Sequence, residues 1–374
     1  MLINHKHTLN YSYIFHLLAL NTYFWIQLNR LSESNSMRTS LKDIAQKLHV
    51  SKTTVSWVLS GKGYEKGISP STQEKIRTCA KEMNYHPNLL ARSLNTGLSG
   101  TIGLILPDIS DSFYSQMAKE IEIEVEKQGY SLMITSSGSE KEREERMIDL
   151  FRARQVDGII IAPTKYSPTK IIQMKDEGYP FVTFDRYFPE LKIPYVIIDN
   201  EESSYQLVNH LIQKGNQKIA IITTNSYLKT MSMRYDGYKR ALENNQIPIK
   251  TNLYGEVCFK NYQNNIVEVL ERIIREVPDV NGFFFTTHIL ALEAFQYFHE
   301  KGIPFNQKYG LACIHDIPTF RVLAPQIHTA RMPVEEMSQK LVNILTSQIK
   351  QKQEKIEVLE IQSCQLSCSI TFRD

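Results

Sequence analysis

The 374-residue sequence is poor in the residues that mark catalytic or metal-bearing chains. It holds only five cysteines, Cys79, Cys258, Cys313, Cys364 and Cys368, an odd and scattered set. Cys364 and Cys368 lie four apart, but no nearby histidine or second cysteine pair completes a zinc site. The pattern points to reduced thiols in a cytosolic protein without a metal, and the alternation around the last pair suits core positions in a single C-terminal strand. Walker A, G-x-S-x-G and H-E-x-x-H motifs are absent, as are Gly-rich phosphate loops. Carboxylates and histidines are dispersed at no spacing that pairs them for acid–base chemistry. Nothing supports an enzyme, and no cofactor is expected.

A clean apolar membrane run is also missing. Residues 11–28, YSYIFHLLALNTYFWIQL, come nearest, but His16, Asn21 and Gln27 interrupt them and no A-x-A-like cleavage site follows. Met37-Arg38-Thr39-Ser40 leads directly into a well-patterned segment. Residues 1–36 are therefore expected to be an extension ahead of the true start, with no membrane partner and a cytoplasmic location.

Strong net charge is lacking too, at +3 overall, but its distribution is uneven. Between Met37 and Leu98 ten Lys/Arg face four Asp/Glu, a net of +6, and the chain after Leu98 is mildly acidic. A basic head on an acidic body suits a polyanion-binding head, although small helical domains are often basic by chance.

Within that head, LKDIAQKLHVSKTTVSWVLS over Leu41–Ser60 predicts two short helices and a tight turn. Leu41, Ile44, Ala45 and Leu48 recur at spacings of three and four. Ser51 can N-cap a second helix from Lys52 to Leu59, with Val55, Val58 and Leu59 inward. Lys52, Thr53, Thr54 and Ser56 then point outward, all able to hydrogen-bond in a DNA major groove. An ordinary helical hairpin would share this pattern. Ser69 and Pro70 open a third helix to about Asn84, with Ile76, Ala80 and Met83 closing a three-helix core. Asn88–Leu94 is helix-competent but too short to be stable alone.

From Thr101 onward, β-runs and helical patterns alternate. Apolar runs at Ile102–Leu106, Ser131–Thr135, Gly158–Ala162, Phe181–Phe184 and Tyr195–Ile198 are followed by four more up to Gly310–Ile314. Seven helical patterns lie between them. This is the repeat of a doubly wound parallel sheet, and so many units predict two α/β lobes with a break near Asp199-Asn200-Glu201. Ligands in such folds bind at the carboxyl ends of strands, so a cleft between lobes is expected there. His288 and His315 follow predicted strands at that end.

The span from Arg38 to about Leu345 resembles the lactose/galactose repressor (LacI/GalR) family of bacterial transcription regulators. The resemblance rests on SLKDIAQKLHVSKTTVSWVLSGKG, YHPNLLARSL, SGTIGLILPDISDSFYSQMAKEIEIEVEKQGYSLMI, RQVDGIIIAP, FVTFDRYFP, VIIDNEESSYQLVNHLIQKGNQKIAII and MRYDGYKRAL, in the family's order and spacing. It implies a small all-α helix-turn-helix head on a periplasmic-binding-protein-like α/β body of two doubly wound lobes. The expected segments are 37–84 for the DNA-binding domain, 85–98 for a hinge and 99–374 for the effector-binding and dimerisation body. The first lobe is expected to hold 99–199 and 328–340, and the second 200–327 and 341–374.

The resemblance further implies a repressor that binds a near-palindromic double-stranded operator as a homodimer and responds to a small sugar or sugar-derived effector. It places Lys52, Thr53, Ser56 and Trp57 at base-reading positions, and Thr54 and Tyr85 at phosphate-contacting or positioning ones. Asn88, Ala91 and Leu94 fall in the hinge, Leu94 as the minor-groove wedge. It assigns the effector cleft to Phe113, Tyr114, Asp185 and Arg234, and His288 and His315 join them from the second lobe. Three departures stand out. Trp57 replaces the usual arginine, Thr287-His288 replaces a common Asn-Asp pair, and His315 takes the first position of an Asp-Asp pair, leaving Asp316. Loss of those acids disfavours a plain neutral sugar and suits an acidic one. The competing reading is an exported or membrane-tethered sugar-binding protein of a transporter, which would have no use for Arg38–Leu98.

Overall fold

The computed structural model describes residues 39–86, 97–165, 168–225, 227–258, 262–354 and 362–373. The extension at 1–36 and the hinge positions Asn88, Ala91 and Leu94 lie outside the described residues. The chain divides into two compact units, Met1–Arg92 and Ser93–Asp374.

In the first unit, α1 (Leu41–Lys47), α2 (Lys52–Leu59) and α3 (Pro70–Glu82) form a three-helix core of Ile44, Ala45, Val55, Val58, Ile76, Cys79 and Ala80. Each helix begins on a serine. Ser40 and Asp43 make a reciprocal capping box, Ser51 Oγ accepts from Thr54 N at 2.9 Å, and Ser69 caps α3 with Pro70 in the first turn. Such caps satisfy otherwise orphaned N–H groups and contribute about 1 kcal/mol each. The α1–α2 turn passes through His49 at φ 51°, a left-handed residue that lets the chain reverse within three positions.

The second unit holds two six-stranded sheets. The first lobe opens with β1 (Thr101–Leu106), α4 (Ser112–Lys127), β2 (Ser131–Ser136), α5 (Lys141–Ala153), β3 (Gly158–Ile161), α6 (Pro168–Asp176), β4 (Phe181–Phe184) and β5 (Tyr195–Ile198). The second continues with α7 (Asn200–Gln213), β6 (Ile219–Thr224), α8 (Lys229–Asn244), β7 (Tyr254–Val257), α9 (Tyr262–Glu276), β8 (Gly282–Phe285), α10 (His288–Glu300), α11 (Phe305–Lys308), β9 (Gly310–Ile314), α12 (Phe320–Leu323) and β10 (His328–Arg331). The chain closes with α13 (Val334–Glu354), β11 (Ser363–Leu366) and β12 (Ser369–Thr371).

The strand orders are β11-β5-β4-β3-β1-β2 and β12-β10-β9-β8-β6-β7. Every pairing is parallel except β10 with β12. Leu104 lies opposite Ile134 and Ile160 in the first sheet, and Ile221 opposite Tyr254 and Phe284 in the second. The central strands β3, β4 and β8 are buried throughout, as parallel strands covered by helices on both faces must be. The crossover after Ile198 falls where the sequence places the break.

The expected lobe boundaries after residue 327 need correction. β10 at 328–331 pairs with β9 and so belongs to the second sheet, not the first lobe. Residues 341–354 belong with the first lobe, because α13 runs unbroken and lays Met337, Leu341, Leu345 and Ile349 into the core under β3, β4 and β5. Gln348 fixes this docking, donating to the Phe181 carbonyl at 3.0 Å and accepting from the Phe181 N–H at 3.2 Å. The expected single C-terminal strand is two short ones. Its cysteines separate, Cys364 on β11 in the first sheet and Cys368 in the link to β12 of the second. The chain thus crosses between the lobes three times, near Asp199, Met332 and Ser367.

Candidate functional site

In the head, α2 presents Lys52 and Thr53 fully to solvent, with Thr54, Ser56 and Trp57 half-buried beside them. The Thr54 hydroxyl is not free for a ligand without rearrangement, since it shares a 2.8 Å hydrogen bond with Ser51 Oγ at the cap. Trp57 carries the Lys66 ammonium 5.6 Å from its ring centroid, a cation–π contact. Where an arginine would present its own charge, this indole presents a borrowed one. Tyr85 follows α3 and packs half-buried on the helical core, and that burial pushes its phenol pKa up.

In the body, five of the six expected cleft residues interlock. Tyr114, on the first turn of α4, donates to Asp185 Oδ2 at 2.6 Å. Asp185 holds a left-handed backbone, φ 56°, at the end of β4, which turns its carboxylate inward. Phe113 stacks on the His315 ring across the cleft, centroids 5.0 Å apart and 12° from parallel. His315 likewise has φ 83°. His288 and His315 share a hydrogen bond between their Nδ1 atoms at 2.8 Å. His288 Nε2 reaches back into the first lobe, 3.0 Å from Ser112 Oγ and 3.6 Å from Asp111 Oδ1.

The sixth, Arg234, bonds none of the other five. It is wholly buried on α8, which packs so tightly on α7 that a Cβ at Gly237 would lie 2.1 Å from the Glu201 carbonyl oxygen. That closeness brings Arg234 Nε to Asn200 Oδ1 at 2.8 Å, while its Nη1 donates to the Thr286 carbonyl. Its Nη2 has no hydrogen-bond partner among the described residues, and neither has His315 Nε2. An unmet buried polar atom costs about 1–3 kcal/mol, so each of these two calls for a partner.

Burial sets the electrostatics. It pulls the Arg234 pKa below the ordinary guanidinium value. Burial also lowers His288, against the pull of Asp111, and lowers His315 well below the usual imidazole value, helped by the charges of His288 and Arg234. Asp111 moves up, because burial outweighs its favourable partners. Arg234 therefore acts on both histidines through space although it bonds neither.

Asp111, Ser112, Asn200 and the Thr286 carbonyl belong to this constellation and were not singled out in the sequence. Asp111 was the most legible of them, since it N-caps α4 by accepting from Phe113 N at 2.8 Å. Asp316, the one acid left of the family's pair, accepts from Arg373 Nη2 at 2.8 Å. Among the described residues no group of three or more His, Cys, Asp or Glu could hold a metal ion, and no helix is long and apolar enough to cross a membrane.

Comparison with known proteins matches both units. Residues 99–369 match the family described as periplasmic binding proteins and sugar binding domain of LacI family. Residues 40–88 match bacterial regulatory proteins, lacI family. A ribose operon repressor of Halalkalibacterium halodurans is 29% identical over 84% of this chain and 91% of its own length. Catabolite control protein A of Priestia megaterium is 25% identical over 90% and 99% respectively. A solved complex of the transcriptional regulator CelR with cellobiose superposes with a TM-score of 0.65, at 21% identity over 90% of this chain and 99% of that one.

Proposed function

This chain belongs to the LacI family of bacterial regulatory proteins, and from that premise we propose how its parts divide the work. It is a DNA-binding transcriptional regulator, a repressor, that reads a near-palindromic operator as a homodimer and answers to a small-molecule effector. Lys52, Thr53, Ser56 and Trp57 read the major groove from the capped helix α2, with Thr54 and Tyr85 positioning the head on phosphates. Asn88, Ala91 and Leu94 form the hinge, and 37–84, 85–98 and 99–374 act as head, hinge and effector body in the cytoplasm. The relatives described above are regulators rather than enzymes or exported receptors, so the transporter alternative gains no support.

The single observation that carries the effector reading is the buried Arg234 with its unpartnered Nη2, set among Phe113, Tyr114, Asp185, His288 and His315. A group that occupies the seam between two sheets favours one arrangement of the lobes over another, and that preference is what moves the head between states. The test screens a panel of sugars, sugar acids and sugar phosphates for release of operator fragments from the full chain. Arg234→Gln should shift release to about ten- to hundredfold higher concentration, the worth of one charge-assisted hydrogen bond. Release at unchanged concentration in that variant would remove the cleft from the mechanism.

A further inference from the structure

The donors and charges of the cleft restrict what it can hold. Every carboxylate near the seam is already engaged. Asp185 accepts from Tyr114 and lies 3.9 Å from Arg186 Nε. Asp316 is paired with Arg373, and Asp111 caps α4 beside His288. Arg234 has only neutral hydrogen-bond partners, the Asn200 amide oxygen and the Thr286 carbonyl. A neutral sugar needs acceptors for its hydroxyls, and each of these three carboxylates already has a protein partner. What the seam offers instead is a buried guanidinium with an unpartnered Nη2 and one unsatisfied imidazole nitrogen.

The histidine pair has a definite proton count. A 2.8 Å contact between two Nδ1 atoms requires one proton between them, because two would clash and two lone pairs would repel. The Asp111 carboxylate favours a proton on His288 Nε2. His288 Nδ1 then accepts from His315 Nδ1, and His315 Nε2 is left as a bare lone pair. That state repels an anion. Adding one proton resolves every contact at once. His288 becomes an imidazolium between Asp111 and His315, donating from Nδ1, and His315 Nε2 gains a hydrogen.

We propose that the cleft takes a small sugar-like ligand carrying an oxyanion, a carboxylate or a phosphate, held between Arg234 Nη2 and His315 Nε2, and that its binding takes up one proton into the His288–His315 pair. This rests on the effector reading above and names the ligand class of that site. The charged groups that act on the pair are Asp111 on α4 and Arg234 on α8, while Asp185 and Arg186 after β4, Tyr114, Cys313 on β9 and the Asp316–Arg373 pair act on those groups or on one another. Asp111 is the carboxylate in reach of His288, so it takes the far end of the relay. The lowered affinity of both buried imidazoles for protons means that the extra proton arrives with the anion rather than before it.

The experiment titrates D-gluconate, inorganic phosphate and neutral D-ribose into the full chain by calorimetry, in two buffers of different ionisation enthalpy. The expected result is binding of an anion with uptake of about one proton beyond any change in the anion's own protonation, and affinity that weakens by up to about tenfold per pH unit between about pH 6 and 8. Gluconate alone binding assigns a carboxylate, and phosphate alone assigns a phosphate. His315→Asn suits the left-handed backbone at that position and should flatten the pH slope. Asp111→Asn keeps a competent helix cap and should flatten it too, so the test survives if one variant fails to fold. Ribose binding through Arg234 while neither anion binds would overturn the ligand class and leave the cleft reading standing. Anion binding without proton uptake, a pH slope that persists in both variants, or no response to either anion would each overturn the proposal. Operator release by the wider panel then judges the cleft reading separately.

Discussion

The Nδ1 atoms of His288 and His315 face one another at 2.8 Å, one residue opening α10 and the other just past β9. Through Ser112 and Asp111 on one side and the Phe113 stack on the other, this pair ties the second lobe to the first. The contact is a lock between lobes that exists with neutral imidazoles and rearranges when a proton is added.

Stability should therefore fall in mild acid. Both histidines have folded pKa values below the ordinary 6.5. Their contribution is complete above about pH 6.5, where they are neutral in either state, and is lost as pH falls from there toward the lowered folded values, because the unfolded chain binds the protons first. Asp111, shifted up from 3.8, has the opposite sign and softens the loss only at lower pH. Denaturant unfolding between about pH 7 and 5 should show this slope, and His288→Asn with His315→Asn should reduce it. An equal slope in the double variant would place the acid sensitivity elsewhere.

Ser51→Ala should cost the head about 1 kcal/mol, since Ser51 both accepts from Thr54 N and bonds its hydroxyl. Limited proteolysis should open the head faster in this variant while the body unfolds at the same denaturant concentration. Equal opening rates would mean that the cap contributes nothing to α2.

Gly158→Ala tests how α13 packs on the first sheet. A Cβ at Gly158 would lie 2.7 Å from Leu345 Cδ1, so a methyl there forces the Leu345 side chain on α13 to move. The expected loss is about 1–3 kcal/mol, measured by thermal or denaturant unfolding. A neutral result would contradict a tight fit of Leu345 against β3.

Arg373→Ala removes the partner of Asp316 and leaves a largely buried carboxylate uncompensated. Breaking such a pair is costly, on the order of 3 kcal/mol when fully buried and less at this partial exposure. Restoration by Arg373→Ala combined with Asp316→Asn would attribute the loss to the pair, and no restoration would exclude it.

Much of this was legible in the sequence. Apolar runs such as Gly158–Ile161 and Gly282–Phe285 announce buried strands by themselves, and the helix caps at Ser40, Ser51 and Ser69 are visible as single residues before apolar periodicity. The C-terminal return was not. β10, β11 and β12 are three or four residues long, and β11 pairs with β5 far back in the chain, so no local pattern tells one sheet from the other. The cleft divides the same way. Phe113, Tyr114 and Arg234 came through the family resemblance. Ser112 and Asp111 became site residues only when folding brought them to His288 across 176 residues of chain.

The most direct measurement is a footprint of the full chain on genomic fragments, repeated with Lys52→Ala and Thr53→Ala. A discrete protected site of near two-fold symmetry is expected. Both half-sites should weaken together in each variant, by about 1–3 kcal/mol for a lost base contact. Protection without sequence preference, or a discrete site indifferent to both substitutions on α2, would contradict it.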